Sequence, residues 1–458
     1  MAELVILHTN DLHSHVERWP RIAQWLKQQR AALTARGATV LMLDDGDAMD
    51  REHPLTEATA GHFNVALLNA AGYDAVTIGN NEGVGNSHAA LEALYANAQF
   101  PVALANLFEA DGTRPAWAKP VVYRQADDGT RVAIIGFTAP YFLTYAPNGW
   151  QVRPVEAVLP DLLQEIGGTY DVLVCLSHLG LPADRYLAAH YPQIDVIVGG
   201  HTHHLLPTGE QCQKTLLTAA GKHGQYVGKI TLTLDDAHHL TATKAETTAW
   251  EALPPVVDEV AQAAAWRQQG VAELAAQPVA AIPHTFAIAY DRPSPLLTLG
   301  LEAVAAAGGT RAAMLSAGLF LQPLAAGIVT KADLHAMLPH AMHLMTITLR
   351  GADLWRLVME GEKNRRFLRH FHLVGMSFRG RIFGELAWQE LTVTPKRQVL
   401  YCGKPLELTK IYTLTGLDHY LFIPFFPTIE IVGENHLLFP RFLRDVFGDY
   451  LAKQFPLP

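Results

Sequence analysis

Five short apolar runs, each ending in a cluster of aspartate, asparagine or histidine, constrain this chain more than any other feature of its sequence. Residues 4–7 lead into His8-Thr9-Asn10-Asp11-Leu12-His13, residues 39–43 into Asp44-Asp45-Gly46-Asp47, and residues 74–78 into Gly79-Asn80-Asn81-Glu82. Later, residues 172–176 lead into Ser177-His178-Leu179-Gly180, and residues 196–198 into Gly199-Gly200-His201-Thr202-His203. Stretches with helical spacing lie between the runs, at 21–36, 59–71, 87–98 and 183–190. Such alternation of strand and helix predicts a layered α/β domain. Ligands of such sheets bind beyond the carboxyl ends of the strands. One Asp-x-His or one Gly-Asn is most often a turn or a helix cap. Five clusters in this order, each after a strand, mark a site.

The donor set defines the chemistry open to that site. Asp11, His13, His178, His201 and His203, with Asn80 and with Asp47 as a bridge, offer oxygen and imidazole but no thiolate. That combination suits divalent Mn, Zn, Fe, Co or Ni and does not choose among them. Two such ions about 3.5–4 Å apart activate a water and clamp both oxygens of an in-line displacement. The alternations Asp11-x-His13 and His201-x-His203 turn both ligands the same way along extended backbone. Gly46, Gly79 and Gly199-Gly200 let the chain turn sharply at the strand ends. The chain holds 22 histidines. His15, His53, His204, His238 and His239 read as polar surface or outer contacts, and His335, His340 and His343 fit no ligand spacing. Cys175, Cys212 and Cys402 are scattered and form no CxxC pair, so no disulfide framework or thiolate zinc site is expected.

Beyond residue 225 the pattern turns to antiparallel sheet at 229–234 and 240–247, and Leu253-Pro254-Pro255 opens an alanine-rich amphipathic stretch to about 277. The expected organisation is a first domain over 1–250, a linker helix within 251–280 and a second α/β domain over 281–458. With 49% hydrophobic and 17% charged residues in 458, the chain can bury more than one core, and disorder, collagen and coiled coil are excluded. A net charge of −9 disfavours nucleic acid or an anionic membrane as the main partner. Residues 312–330 carry no charged residue over a length that could span a bilayer. Ser316, Gly318, Gln322-Pro323 and Gly327 break that run into strand, turn and helix entry. The first residues show no leader pattern, so a soluble, cytoplasmic protein is expected. No long heptad pattern suggests a dimer, and the oligomeric state is open.

The series Asp11-x-His13, Gly46-Asp47, Gly79-Asn80, His178 and Gly200-His201-Thr202-His203 resembles the calcineurin-like metallophosphoesterases. The phrases Leu7-His8-Thr9-Asn10-Asp11-Leu12-His13 and Ile197-Val198-Gly199-Gly200-His201-Thr202-His203 narrow the resemblance to the bacterial 5'-nucleotidase / UDP-sugar hydrolase family. It implies an α/β/β/α sandwich of four layers, followed by a helix and a C-terminal α/β substrate domain. It also implies two divalent ions, one held by Asp11, His13, Asp47 and His203, the other by Asp47, Asn80, His178 and His201. Activity would then be attack of a metal-activated hydroxide on a small phosphoester, with a nucleoside monophosphate the leading candidate and UDP-sugars or cyclic nucleotides behind it. Asn80 would stabilise charge on the phosphoryl oxygens, and Asn81 would position the group.

Three departures from the family accompany the resemblance. Asn81 stands where the family carries a catalytic histidine, and an amide cannot transfer a proton; general acid catalysis is worth about 10²–10⁴-fold. Ser316-Ala317-Gly318-Leu319-Phe320-Leu321 lacks the family's substrate arginine, and Leu417-Asp418-His419-Tyr420-Leu421-Phe422 lacks its glycines and acid. Candidate base platforms are Phe371, Tyr420 and Phe422, each of which also reads as core packing. Arg379 and Arg381 are candidate phosphate contacts, or a solvated basic turn. These losses motivate a second reading, a metal-binding protein of the same fold with weak or lost catalysis, acting as a sensor or partner. A third, hydrolysis of a sulfur ester on the same fold, has no residue of its own to favour it.

Overall fold

Along the first strand, Ala2–Thr9, successive side chains go to opposite faces: Leu4 and Ile6 enter one buried layer, Val5 and Leu7 another. Both sets are apolar because the strand is covered on both sides. The computed structural model describes residues 2–375 and 377–458, and the chain divides into two units, Met1–Gly270 and Val271–Pro458. The division falls within the helix Glu259–Ala275.

Two sheets build the first unit. A seven-stranded sheet runs in the order Leu240–Ala249, Tyr226–Leu234, Ala2–Thr9, Thr39–Asp44, Ala75–Val76, Val102–Ala103, Ala118–Lys119. A six-stranded sheet runs Glu210–Cys212, Thr215–Thr218, Val196–Gly199, Val172–His178, Arg131–Thr138, Val121–Gln125. The strands that bear the acid and histidine clusters pair in parallel, as with Ala2–Thr9 on Thr39–Asp44 and Val172–His178 on Val196–Gly199. All their carboxyl ends therefore lie on one side. Leu4, Ile6, Leu41 and Leu43 face Ile134, Val174, Leu176 and Val198 in the layer between the sheets. Val5, Leu7 and Met42 pack outward against Ile22, Leu26, Val65 and Leu68 of the helices Trp19–Thr34 and His62–Ala71. On the other flank Ile135, Leu173 and Ile197 meet Leu159, Leu162 and Leu187 of Leu159–Ile166 and Leu181–His190. This is the α/β/β/α sandwich that the family resemblance implies. All seven residues of Val172–His178 are buried, which is why that segment reads as a continuous apolar run rather than an alternation.

The expected helix over 59–71 begins three residues later, as His62–Ala71, after a separate short helix Pro54–Ala58. Gly61 parts them with φ +90°, and a Cβ there would approach Met49 Sδ to 2.6 Å. The helix backbone thus makes way for the loop that carries Asp47.

In the second unit a five-stranded sheet, ordered Leu386–Gln389, Ala312–Ser316, Ile411–Leu417, His343–Arg350, Glu434–Phe442, packs with the helices Pro295–Gly308, Gly351–Leu368 and Leu443–Gln454 around one core. The uncharged stretch 312–330 is the strand Ala312–Ser316, a single 3-10 turn and the strand Gly327–Thr330. Among the described residues no helix is long and apolar enough to cross a membrane.

Two contacts in the sandwich generate measurable expectations. Gly136, in Arg131–Thr138, comes so close to the other sheet that a Cβ would sit 2.0 Å from the Ala103 carbonyl oxygen and 2.7 Å from Thr77 Oγ1. Gly136→Ala is expected to destabilise by about 1–3 kcal/mol, read as a lower urea midpoint. His8 is fully buried, its Nδ1 has no hydrogen-bond partner, and its ring lies where a Cβ on Gly228 would be. Burial lowers its pKa from 6.5 to about 4. The folded chain then binds fewer protons at His8 than the unfolded chain, so stability falls as pH drops through that window. At 1.36 kcal/mol per unit the loss reaches about 3 kcal/mol. Metal-free His8→Phe should lose correspondingly less stability than wild type between pH 6.5 and 4.

Candidate metal centre

Past the strand ends the parallel pairing continues as a lattice of backbone hydrogen bonds. Asp45 N–H donates to the Thr9 carbonyl (3.0 Å), Asp11 N–H to Gly46 (3.0 Å), and His13 N–H to Asp47 (2.8 Å). The chain satisfies that lattice in an unusual conformation. Asp11, His13, Asp47, His201 and His203 have φ between +47° and +67°, the left-handed region that residues with a Cβ seldom adopt, which corrects the expectation of extended backbone at Asp11-x-His13 and His201-x-His203. Backbone strain of this kind persists where the surroundings over-determine it, and it concentrates at functional sites.

Side chains converge from both sheets. His13 Nε2 lies 3.6 Å from Asp11 Oδ1 and 3.7 Å from Asp47 Oδ2. His203 Nε2 lies 3.4 Å from the same Asp11 oxygen and 3.1 Å from His13 Nε2. His178 Nε2 lies 3.4 Å from Asp47 Oδ2 and 4.0 Å from Asp11 Oδ1. His201 Nδ1–H donates to Asn80 Oδ1 at 2.9 Å. The ligand atoms of Asp11, His13 and His203 lie within 4.8 Å of one another, as do those of Asp11, Asp47 and His178. Five of the expected ligands thus form two groups that share Asp11, and the paired His201 and Asn80 lie beside them, the His201 ring 5.3 Å from that of His178.

Electrostatics agree with a cation site. Burial pushes the Asp11 carboxyl up, but hydrogen bonds with His13 and His203 and the charge of His178 outweigh it and hold the carboxyl far below its usual range. Asp47 is lowered in the same way, burial being opposed by His178. Burial also acts against the charged form of His178, yet Asp47 and Asp11 raise its pKa well above the ordinary histidine value. His178 Nδ1–H donates to the Asp45 carbonyl at 2.7 Å, and its Nε2 has no hydrogen-bond partner in the protein. That nitrogen is buried and faces two carboxylates. Asp45 has both carboxylate oxygens buried without a partner, and burial lifts its pKa well above the usual range. Facing imidazole nitrogens, an orphaned buried nitrogen and a surplus of carboxylates are the features a divalent cation would satisfy.

Glu82 holds two of the loops together. Its Oε2 accepts from Asp47 N–H (2.9 Å) and Gly79 N–H (2.8 Å), and its Oε1 from Met49 N–H (3.1 Å). Burial, with Asp47 nearby, lifts its pKa to about 7. Asn81 is committed likewise: its Nδ2 donates to His13 Nδ1 (2.8 Å) and to the Met49 carbonyl (3.0 Å), while its backbone N–H donates to Asp47 Oδ1 (2.7 Å).

Three residues near the ligands carried no sequence signal that singled them out. Asp50 Oδ2 is 3.8 Å from His13 Nδ1. His223, on the loop after Thr215–Thr218, donates its backbone N–H to the Asp11 carbonyl (2.7 Å), and its ring centroid is 5.6 Å from that of His13. Burial, with His15 and His13 adjacent, lowers the His223 pKa to about 2. Tyr141 follows the strand Arg131–Thr138 and meets His201 Nε2 with its hydroxyl at 3.0 Å. A sixth strand end would have pointed to Tyr141, had tyrosine been weighed beside acids and histidines.

The substrate candidates all lie in the second unit. Tyr420 is fully buried, with Phe426 and Phe383 at ring distances of 5.7 and 6.2 Å. It is a core residue with no face left for a base, which corrects the sequence expectation. Phe371 is half-buried against Phe367 and Phe425 at 5.2 and 4.9 Å, whereas Phe422 is 52% exposed. Arg379 is half-buried and donates its backbone N–H to His340 Nδ1 at 2.8 Å.

Residues 4–205 match the calcineurin-like phosphoesterase family, and residues 275–422 the 5'-nucleotidase C-terminal domain. Over 463 residues the chain is 34% identical to the uncharacterised metallophosphoesterase YunD of Bacillus subtilis (strain 168), covering 98% of this chain and 99% of that protein. A 5'-nucleotidase of Diplobatis ommata is 27% identical over 273 residues, a match that spans 51% of this chain and 46% of that one. A solved structure of a putative 5'-nucleotidase from Staphylococcus aureus superposes with a TM-score of 0.70 at 18% identity, covering 100% of this chain and 98% of its own. That last likeness is one of fold.

Glu82→Gln is expected to leave at least one of three buried N–H groups without an acceptor. The cost is about 1–3 kcal/mol, read in urea unfolding of the metal-free protein. Metal affinity should fall about 10-fold or more, measured by titration calorimetry.

Proposed function

This chain belongs to the calcineurin-like metallophosphoesterases of the 5'-nucleotidase family, and on that premise we propose that it hydrolyses the phosphoester of a nucleotide at a centre of two divalent cations. Metal-dependent phosphoester hydrolysis follows from the family. The observation that carries the two-ion reading is the pair of ligand triads that share Asp11, with Asp47 close to both. Asp11, His13 and His203, with Asp47, would hold one ion; Asp47, Asn80, His178 and His201 would hold the other. Ions bound there supply the Lewis acidity that activates water and neutralises phosphoryl oxygens. Manganese, zinc, cobalt, nickel and iron all suit this donor set.

The protein's own residues fix what else the site can do. Glu82 and the backbone lattice hold Asp47 and Asn80 in register, so the donors need little reorganisation when substrate arrives. Asn81 is spent on His13 and the Met49 carbonyl; it orients a ligand and has no proton to give. The rate advantage of a general acid, about 10²–10⁴-fold, must come from elsewhere or be absent, which favours phosphoesters with good leaving groups. Nucleotide direction is supported by the C-terminal domain match and by the 5'-nucleotidase relative.

The test is a phosphoester panel with metal-stripped protein reloaded with Mn, Co, Zn or Ni. It comprises a nitrophenyl monoester, a nitrophenyl diester, nucleoside monophosphates, a cyclic nucleotide and UDP-glucose. Metal-restored turnover on at least one nucleotide of the panel, at least about 100-fold lower in Asp47→Asn, is the expected result. Two bound ions with no turnover on any member would overturn the catalytic assignment. Turnover confined to non-nucleotide esters would overturn the substrate class.

A further inference from the structure

The imidazole ligands differ in what holds the nitrogen turned away from the centre. His178 leans on a main-chain carbonyl, that of Asp45, which accepts and never donates. Its Nδ1 therefore always carries a proton, and its Nε2 faces the centre. His201 has no such anchor. Its Nδ1 faces Asn80 Oδ1, and its Nε2 faces a phenol, the Tyr141 hydroxyl at 3.0 Å, with the two rings edge to face at 5.8 Å.

Asn80 Oδ1 can only accept, so the 2.9 Å contact requires the His201 proton on Nδ1. Nε2 is then an acceptor, and Tyr141 donates to it. Were His201 to offer Nδ1 to a cation, the reverse would be required, because Nδ1 would have to present its lone pair. A neutral imidazole carries one proton, which must then be on Nε2, and its partner must accept. A carbonyl could serve the second arrangement alone, and an amide N–H the first alone. A hydroxyl serves both by rotating its O–H, and the number of protons on the His201–Tyr141 pair is the same before and after.

We infer that Tyr141 is a positioning residue of the metal centre, whose phenol keeps the His201 ring in place through the change of tautomer that ligation through Nδ1 demands. The inference rests on the two-ion reading above. Outer hydrogen-bond partners of ligating histidines fix tautomer and orientation, and their loss costs 10–100-fold in affinity or activity. Tyr141 emerges after a strand that contributes none of the expected ligands, and it is 37% exposed. Its hydroxyl can therefore be removed without opening the core.

The experiment compares wild type with Tyr141→Phe, which keeps the ring. Metal-stripped full-length protein is titrated calorimetrically with Mn2+, and with Co2+ while the visible absorption of the bound ion is followed. Two ions are expected in wild type. In Tyr141→Phe the first should bind unchanged and the second about 10–100-fold more weakly, with an altered cobalt spectrum for that second ion and an unchanged melting temperature. Activity of the variant should return toward wild type at saturating metal, with KM little altered. Identical isotherms and spectra in the two proteins would overturn the inference. So would an unchanged isotherm with activity still depressed at saturating metal, which would place Tyr141 against substrate. A wild-type chain that binds fewer than two ions overturns the two-ion reading and, with it, this one.

Discussion

Everything in the first unit is arranged around the burial of carboxylates. Asp11, Asp44, Asp45, Asp47 and Glu82 are all buried at adjoining strand ends. Removing so much like charge from water is severely unfavourable unless it is neutralised or hydrogen-bonded. The protein meets part of that demand with its own groups: His178 beside Asp47, and three backbone N–H donors on Glu82. Asp45 is left with no partner on either oxygen. Parallel pairing and strand-end turns hold these groups side by side, and together they gather the candidate ligands of a divalent cation.

The fold and the ligand set were largely legible in the sequence because parallel strands covered on both faces leave a plain record. Val172–His178 reads as an unbroken apolar run ending in a histidine, and the structure buries all of it. What was not legible depends on neighbours distant in the chain. Gly61 breaks a helically spaced stretch because Met49 needs the room, a contact no local pattern encodes. Tyr420 looks like a platform for a base since an aromatic in a core and one on a surface have the same periodicity. Asp50, His223 and Tyr141 were passed over because each sits where an acid, a histidine or a tyrosine is ordinary loop composition. Sequence spacing identifies donors that share a strand end, and it is silent on residues that approach from the far side.

Position 81 shows how a family scaffold can keep its ligands and change its proton inventory. In this chain the amide is tied to His13 and to the Met49 carbonyl, and the backbone of the same residue is tied to Asp47. The side chain has become part of the frame around the donors. Among the described residues the imidazole nearest to hand outside the ligand set is His223, its ring 5.6 Å from His13 and 6.3 Å from His203. Burial beside other imidazoles keeps that ring neutral. It is a neighbour of the centre with hydrogen-bonding capacity and no ready proton.

The left-handed backbone at Asp11, His13, Asp47, His201 and His203 bears on whether this motif is portable. Each of these residues sits in a conformation that its own Cβ disfavours. A peptide carrying Asp11-x-His13, or a graft of it onto another strand end, would relax to the ordinary right-handed or extended basin and turn its donors apart. The geometry is stored in the pairing between separated loops, in contacts such as Asp11 N–H to Gly46 and His13 N–H to Asp47. A chain can drift far in sequence, as the 18% identity with a structure of the same fold illustrates, while these loops must change together or stay as they are. The heritable unit here is the set of strand ends, and no single segment of it has the site in miniature.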